Sequence, residues 1–262
     1  MGSRRDGDDR MRATWSAMVT VLVAALATGC TAVITGTAYP APGMKPRPLA
    51  GSIIKEVLLD GTALSRMLDQ PFAADPELPP RFGGSDELSG AYVLSSPVEC
   101  VGVVAMLQRA AYQSANVTHV ARESWWDDGD SGKVISVDEA VVALPTAAEA
   151  DALFTKFSQQ WDTCDGTVLT LRSARLSFRD QIEDVRVANS VLAATVSEES
   201  TSGSHSGTIP EARAIGVRVN CLVEVEVAFY SAHSQSDQGS GEVSTSAIDI
   251  ARTMMEKISA LS

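Results

Sequence analysis

The longest alternation of apolar and polar residues runs from 214 to 230. Ile215, Val217, Val219, Cys221, Val223, Val225, Val227 and Phe229 occupy every second position. Period two predicts one long strand with those residues on a buried face, and with Arg218, Asn220, Glu224 and Glu226 sharing the other. Residues 185–197 predict a second long strand, and residues 168–171 a short one. Residues 120–126 and 134–144 flank Asp127-Asp128-Gly129-Asp130-Ser131-Gly132, which reads as a hairpin. The polar stretch 197–207 tips a further hairpin. Residues 53–59 are apolar enough for a strand.

Helical periods alternate with these strands. Thr146-Ala147-Ala148-Glu149 is a capping box. It opens a helix whose apolar face is Ala150, Leu153, Phe154, Phe157 and Trp161. Val243, Ala247, Ile250, Met254, Ile258 and Leu261 recur at three- and four-residue spacings in a last helix. Ser96-Pro97-Val98-Glu99 has the form of a helix start. Cys100, Val103, Val104, Leu107, Ala110 and Ala111 then share one helical face. Residues 62–68 form a short helix that stops near Pro71. Residues 71–95, with Pro71, Pro76, Pro79, Pro80, Gly83 and Gly84, read as an irregular loop. Helices set between groups of hairpin-forming strands predict an α+β fold: a twisted, largely antiparallel sheet with packed helices, in a single domain over residues 51–262.

The residues before that domain follow a different pattern. Arg4, Arg5, Arg10 and Arg12 precede an apolar run from Ala17 to Ala27, too short to span a bilayer and of signal-peptide length. The run ends in Leu26-Ala27-Thr28-Gly29-Cys30, which resembles the lipobox of bacterial lipoproteins. In that family the chain is cut before the cysteine, whose sulfur is diacylated. The expectation is a signal peptide over 1–29 and lipidation at Cys30. Two acyl chains give firm anchoring where one is marginal. Asp6, Asp8 and Asp9 are unusual ahead of an export signal, and Met11 offers a cleaner start. Residues 30–50 hold Pro40, Pro42, Pro46 and Pro48 and read as an extended tether.

Composition narrows the classes of function. The 262 residues are 45% hydrophobic and 21% charged, as in a folded chain. Against 21 Lys and Arg stand 33 Asp and Glu, a net charge of −12. Nucleic acid and anionic lipid surfaces both select basic faces, so neither is an expected partner. There is no Walker A loop, HExxH, GxGxxG or GxSxG; Gly203-Ser204-His205-Ser206-Gly207 has His in the serine place. His205 and His233 lie in polar loops, and His119 borders a strand. Asp128 to Glu139 has partial calcium-loop spacing. Gly132 and Lys133 stand at its fifth and sixth positions, however, and Glu139 is in a strand pattern, so a turn is the better reading. No cofactor, metal or catalytic residue is expected. Trp125 and Trp126 are adjacent on a strand and point to opposite faces, one to the core and the other to ordinary packing on a second layer or to the lining of a groove.

With Cys30 lipidated, Cys100, Cys164 and Cys221 remain, and three pairings are open. Position favours Cys164 with Cys221, joining the end of the Trp161 helix to the longest strand, with Cys100 a buried free thiol. Ser96-Pro97-Val98-Glu99-Cys100-Val101-Gly102, Trp161-Asp162-Thr163-Cys164 and Val219-Asn220-Cys221-Leu222-Val223-Glu224-Val225 resemble the PknH-like extracellular sensor domain. The resemblance covers roughly 52–261. It implies a twisted sheet with packed helices, two internal disulfides, and a large cleft for an unidentified ligand. Cys164 and Cys221 match its second bridge. Cys100 matches half of its first, with no second cysteine nearby. The expected function is a non-enzymatic ligand-binding or sensor domain, lipid-anchored on the extracytoplasmic face of the cell membrane. Its expected ligand is an unknown small molecule or envelope component. A cell-envelope hydrolase or transferase with an unrecognised site is the alternative.

Overall fold

The computed structural model describes residues 46–90, 94–129, 132–172, 177–200, 207–231 and 239–262. Within them nine strands form one open, antiparallel sheet: β1 (Phe72–Ala74), β2 (Arg81–Gly83), β3 (His119–Asp127), β4 (Val134–Ala143), β5 (Val168–Arg172), β6 (Ser177–Ala188), β7 (Val191–Ser200), β8 (Thr208–Arg218) and β9 (Cys221–Phe229). The order across the sheet is β1-β3-β4-β9-β8-β7-β6-β5, with β2 also pairing to β3. Five helices complete the α+β fold: α1 (Gly61–Leu68), α2 (Val101–Val104), α3 (Arg109–Tyr112), α4 (Ala147–Cys164) and α5 (Ser246–Leu261). No helix among the described residues is long and apolar enough to cross a membrane.

Helices pack on both faces of the sheet. On one face, Ala150, Leu153, Phe157 and Trp161 of α4 join residues 100–112 over Val120, Val142, Leu222, Ile215, Leu192 and Ile182. On the other, Ala247, Ile250, Met254 and Ile258 of α5 join Ile54, Val57 and Leu64 over Val137, Val141, Val223, Val225 and Val227. The capping box of α4 forms as expected: the Glu149 N–H donates to Thr146 Oγ1 at 3.2 Å, and the Thr146 hydroxyl reaches the Glu149 carboxylate at 3.0 Å. The hairpin of β3 and β4 also forms, as does the β7–β8 pairing around 201–206.

Four expectations are corrected. The 214–230 pattern is two strands, since Arg218 pairs with Cys221 across a turn at Val219-Asn220. Val219 takes a positive φ of 54° there. Asn220 holds the turn with its side chain: its amide donates to the carbonyls of Leu49 (2.9 Å) and Leu144 (2.7 Å), and its oxygen accepts from the Leu49 N–H (2.7 Å). A two-residue turn reverses the inward parity, so Ile215 and Val217 face α4 while Cys221 to Phe229 face α5. The strand expected over 185–197 is likewise a hairpin, turning at Asn189 and Ser190 with φ of 53° and 63°. Residues 51–57 form a 3-10 helix rather than a strand, burying Ile54 and Val57. The single helix expected after Ser96 is broken into a 3-10 turn (Val98–Cys100), α2 and α3. Ser96 spends its backbone on a two-bond bridge to Thr170 at the β5 edge, at 3.1 and 3.0 Å, so it does not cap.

The disulfide is corrected as well. Cys100 is bonded to Cys164, with Cα atoms 5.7 Å apart, and Cys221 is a buried free thiol. The expected Cys164–Cys221 bridge is prevented by the sheet itself. Cys164 ends α4 on one face, and the reversal at Val219-Asn220 turns Cys221 to the other. Burial pushes the Cys221 thiol up to about 12. Cys30, the export signal and most of the tether lie outside the described residues, as do His205 and His233.

Candidate ligand cleft

Four strands present polar and charged residues on the α4 face where its helical cover ends. Ser124 of β3 is directly opposite Asp138 of β4, Asp138 opposite Glu226 of β9, and Glu226 opposite Arg213 of β8. Opposed residues share a face, so this row is contiguous. Above it, Ala105, Met106, Leu107 and Gln108 between α2 and α3 form a second wall, with Ser89 beside them. The space between is a cavity of about 290 Å³, with Arg122, Ser124, Asp138 and Glu226 on its floor; Glu123 and Glu139 also border it, though the register places them on the opposite, α5 face.

The second wall is held by a buried carboxylate. Glu224 Oε1 accepts from the Tyr112 hydroxyl at 2.6 Å and from the Leu107 N–H at 3.2 Å, while Oε2 pairs with Arg213 at 3.3 Å. Arg213 is fully buried. It donates to the Val103 carbonyl at 2.8 Å and the Val225 carbonyl at 3.3 Å, and pairs with Glu226 at 3.3 Å. Its guanidinium lies 6.0 Å from the Trp161 ring centre. A buried charge needs this many partners to be tolerated. These demands explain the break in the expected helix. Leu107 adopts φ of 56°, a left-handed conformation that is costly for a bulky residue. Its N–H thereby meets Glu224, and its carbonyl accepts from the Ser89 N–H at 2.8 Å.

The cleft is electrostatically unusual. Burial raises the Asp138 carboxyl above its ordinary range, against hydrogen bonding from Ser124 that lowers it. Burial also pushes Glu226 up to about 7, with Arg213 opposing and neighbouring carboxylates adding. Burial raises Tyr112 strongly, and Glu224 adds to it. Below the floor, on the α5 face, Glu139 is fully buried and accepts from the Leu59 N–H at 2.8 Å. Burial pushes it to about 8 despite that bond. The site therefore offers paired carboxyls, the hydroxyls of Ser124 and Tyr112, and Arg122 and Arg213 at the rim of an apolar core. Among the described residues no three acidic, His or Cys side chains are grouped to hold a metal ion.

The two tryptophans divide as alternation requires. Trp125 packs into the α5-face core against Gly61, where a Cβ would come within 2.8 Å of its ring. Trp126 is 49% exposed on the cleft face, one same-face position beyond Ser124, and does not line the cavity. Glu224 and Glu226 do share a face, as alternation predicts, but Arg218 and Asn220 are not with them: Arg218 bonds Ser259 of α5 at 2.6 Å. Arg213, Asp138, Ser124 and Tyr112 were missed. For Arg213 and Asp138 the available signal was a charge inside an otherwise apolar strand; Ser124 and Tyr112 carried none.

The described residues thus form an open antiparallel sheet covered by helices on two sides, with a polar cleft and one internal disulfide. The chain belongs to the PknH-like extracellular domain family, whose model matches residues 49–257. It is similar to the serine/threonine-protein kinase PknH of Mycobacterium bovis (strain ATCC BAA-935 / AF2122/97), at 23% identity over 76% of this chain and 31% of that protein. The PknH kinase of Mycobacterium tuberculosis (strain CDC 1551 / Oshkosh) is 24% identical over 76% of this chain and 30% of its own. The chain thus spans about a third of the length of these relatives. The crystal structure of the extracellular domain of PknH from Mycobacterium tuberculosis superposes with a TM-score of 0.65. It is 21% identical, and the match covers 82% of this chain and 98% of that one, which establishes the shared fold.

Proposed function

We propose that this protein is a lipid-anchored, extracytoplasmic binding domain that takes a small-molecule or envelope ligand in the cleft and carries out no reaction on it. The cleft carries the reading: a cavity of about 290 Å³ with Asp138 and Glu226 on its floor and a strained Leu107 in its wall. Outlying backbone conformations of this kind collect at ligand sites. Membership of an extracellular-domain family supports the compartment. The basic residues, apolar run and Cys30 support the anchor. A hydrolase is the second reading, favoured by one observation: Asp138 and Glu226 are directly opposed carboxyls, both raised by burial.

The test uses the full chain expressed in a host that processes lipoproteins. Wild type is expected in the membrane fraction and Cys30→Ala in the soluble one; unchanged fractionation removes the anchor. Native mass spectrometry of the purified wild type is expected to show an added mass that is lost in Asp138→Asn. An added mass that is converted to product on incubation would favour the hydrolase.

A further inference from the structure

The charged row does not end at the cleft. Glu211 lies two residues before Arg213 on β8 and shares its face. Glu211 is paired with Val196 of β7, and Glu198, two residues further, is on the same face. Asp180 of β6 is directly opposite Glu198. Carboxyls therefore cross five adjacent strands on one face, from Asp138 through Glu226, Glu224, Glu211 and Glu198 to Asp180. Among the described residues two cations stand with them, Arg213 in the middle and Arg122 at the β3 end, with the further acid Asp75 near Asp138. Arg213 is already committed to Glu224, Glu226 and backbone carbonyls. From α4 and residues 100–112 the face is met by Val101, Val103, Val104, Phe157 and Trp161, and by the Tyr112 hydroxyl already bonded to Glu224.

Asp180 marks the far end of the row. It is 1% exposed, and among the described residues neither of its oxygens has a hydrogen-bond partner. A buried carboxylate with no donor, directly opposite a second carboxylate, is a charge that nothing offsets. No lysine or arginine pairs with it among the described residues, and no grouping there suits a metal ion. Two carboxyls facing each other are satisfied by one proton, because one becomes a donor and the other remains an acceptor.

We propose that Asp180 and Glu198 hold a shared proton in the resting domain, and that its loss loosens the β5–β6 edge and, through it, the wall of the ligand cleft. Its last step rests on the cleft being the ligand site. The route is continuous in bonds. Asp180 is on β6, and β6 carries β5. Thr170 of β5 bridges Ser96 by two backbone bonds, and four residues on Cys100 is fixed to Cys164. The same segment leads directly into Met106 and Leu107. On deprotonation the proton passes to solvent and both carboxyls become anionic. They then repel each other.

The titration behaviour agrees with this geometry. Burial, then the charge of Glu198, pushes Asp180 to about 7. Burial raises Glu198, and burial with Glu226, Glu198 and Asp180 raises Glu211 strongly against Arg213. A carboxyl raised on folding binds its proton more tightly in the folded state. Its stabilisation is therefore complete below the ordinary carboxyl range and is lost as pH rises through about 7.

The experiment follows side-chain carboxyl carbon shifts of the full chain in detergent micelles by NMR, with thermal unfolding between about pH 5 and 8. Asp180 is expected to titrate near pH 7. The folding constant should fall as pH rises, by up to about tenfold per pH unit for each proton released. Asp180→Asn supplies a permanent donor to Glu198 and should flatten the pH dependence and raise the midpoint at pH 8. The Met106 and Leu107 amide shifts should move with the same midpoint. An Asp180 that titrates in the ordinary carboxylate range overturns the proposal even if no variant folds. Titration near 7 with Met106 and Leu107 unmoved overturns the link to the cleft. Neither result bears on whether the cleft binds a ligand, which the added mass decides separately.

Discussion

On the α5 face of the sheet the strands present Val137, Val141, Val223, Val225, Val227 and Phe229 to Ile250, Met254 and Ile258, and the face is closed. On the α4 face the same strands present Val142 and Leu222 at one end, then Asp138, Glu224 and Glu226 with Arg213 of β8. One sheet thus carries a core made chiefly by apolar area, with Glu139 buried in it, beside a core made by specific partners. The first tolerates repacking, because hydrophobic burial is non-directional. The second does not, because each buried charge is tolerable only while its partners are in place. A cleft belongs on the second face, since shape there is set by hydrogen bonds rather than by filling.

The largest expected contrast is at Arg213. Arg213→Ala leaves Glu224 and Glu226 uncompensated, and chemical denaturation should show a loss of about 3–5 kcal/mol. Near-wild-type stability would erase the distinction between the faces. Next comes the cysteine pair. Replacing Cys100 and Cys164 by Ala opens a link spanning 64 residues on the α4 face, and should cost about 2–4 kcal/mol. Unreduced peptide mapping should recover Cys100 with Cys164. Cys221 should resist alkylation until the protein unfolds, because burial keeps its thiol protonated. The smallest effect sharpens the contrast from the apolar side. Glu139 is raised to about 8, so its stabilisation is present at acid pH and lost as pH rises through that value. Glu139→Gln should match wild type near pH 4, below the ordinary carboxyl range, and exceed it by a growing margin as pH rises to about 8, as read by thermal unfolding. A variant less stable at both values would show that the ionised form is the one the fold needs.

Periodicity in the sequence was enough for α4, α5 and the β3–β4 hairpin, where local pattern and tertiary role agree. It failed where both faces of a strand are buried. Across Val219-Asn220 the apolar residues keep their every-second spacing, so the reversal leaves no break in the pattern. There is also no glycine to announce it. The turn is set instead by Leu49 and Leu144, far away in the chain. The same blindness produced the wrong cysteine pair, because Cys221 was placed on the face of Ile215 and Val217. The helix after Ser96 failed for a related reason: a strong local signal was overridden by Glu224, more than a hundred residues on, which draws the Leu107 N–H out of helical geometry. Of the cleft, Glu224 and Glu226 were visible as charges on an alternating strand. Arg213 and Asp138 acquire meaning only through cross-strand register, which no single segment encodes.

The order β1-β3-β4-β9-β8-β7-β6-β5 puts the last strand of the chain in the middle of the sheet. Strands β1 to β4 and strands β5 to β8 are two half-sheets that share no strand pairing until β9 enters between β4 and β8. A chain that has emerged only as far as Arg218 therefore carries two bare hydrogen-bonding edges, the apolar β4 edge and the β8 edge. Both are templates for pairing with another chain. In any process that delivers the protein from its N-terminus, closure waits for residues 221–229. Truncation just before them would convert two protected strands into aggregation sites while deleting less than a fifth of the sequence.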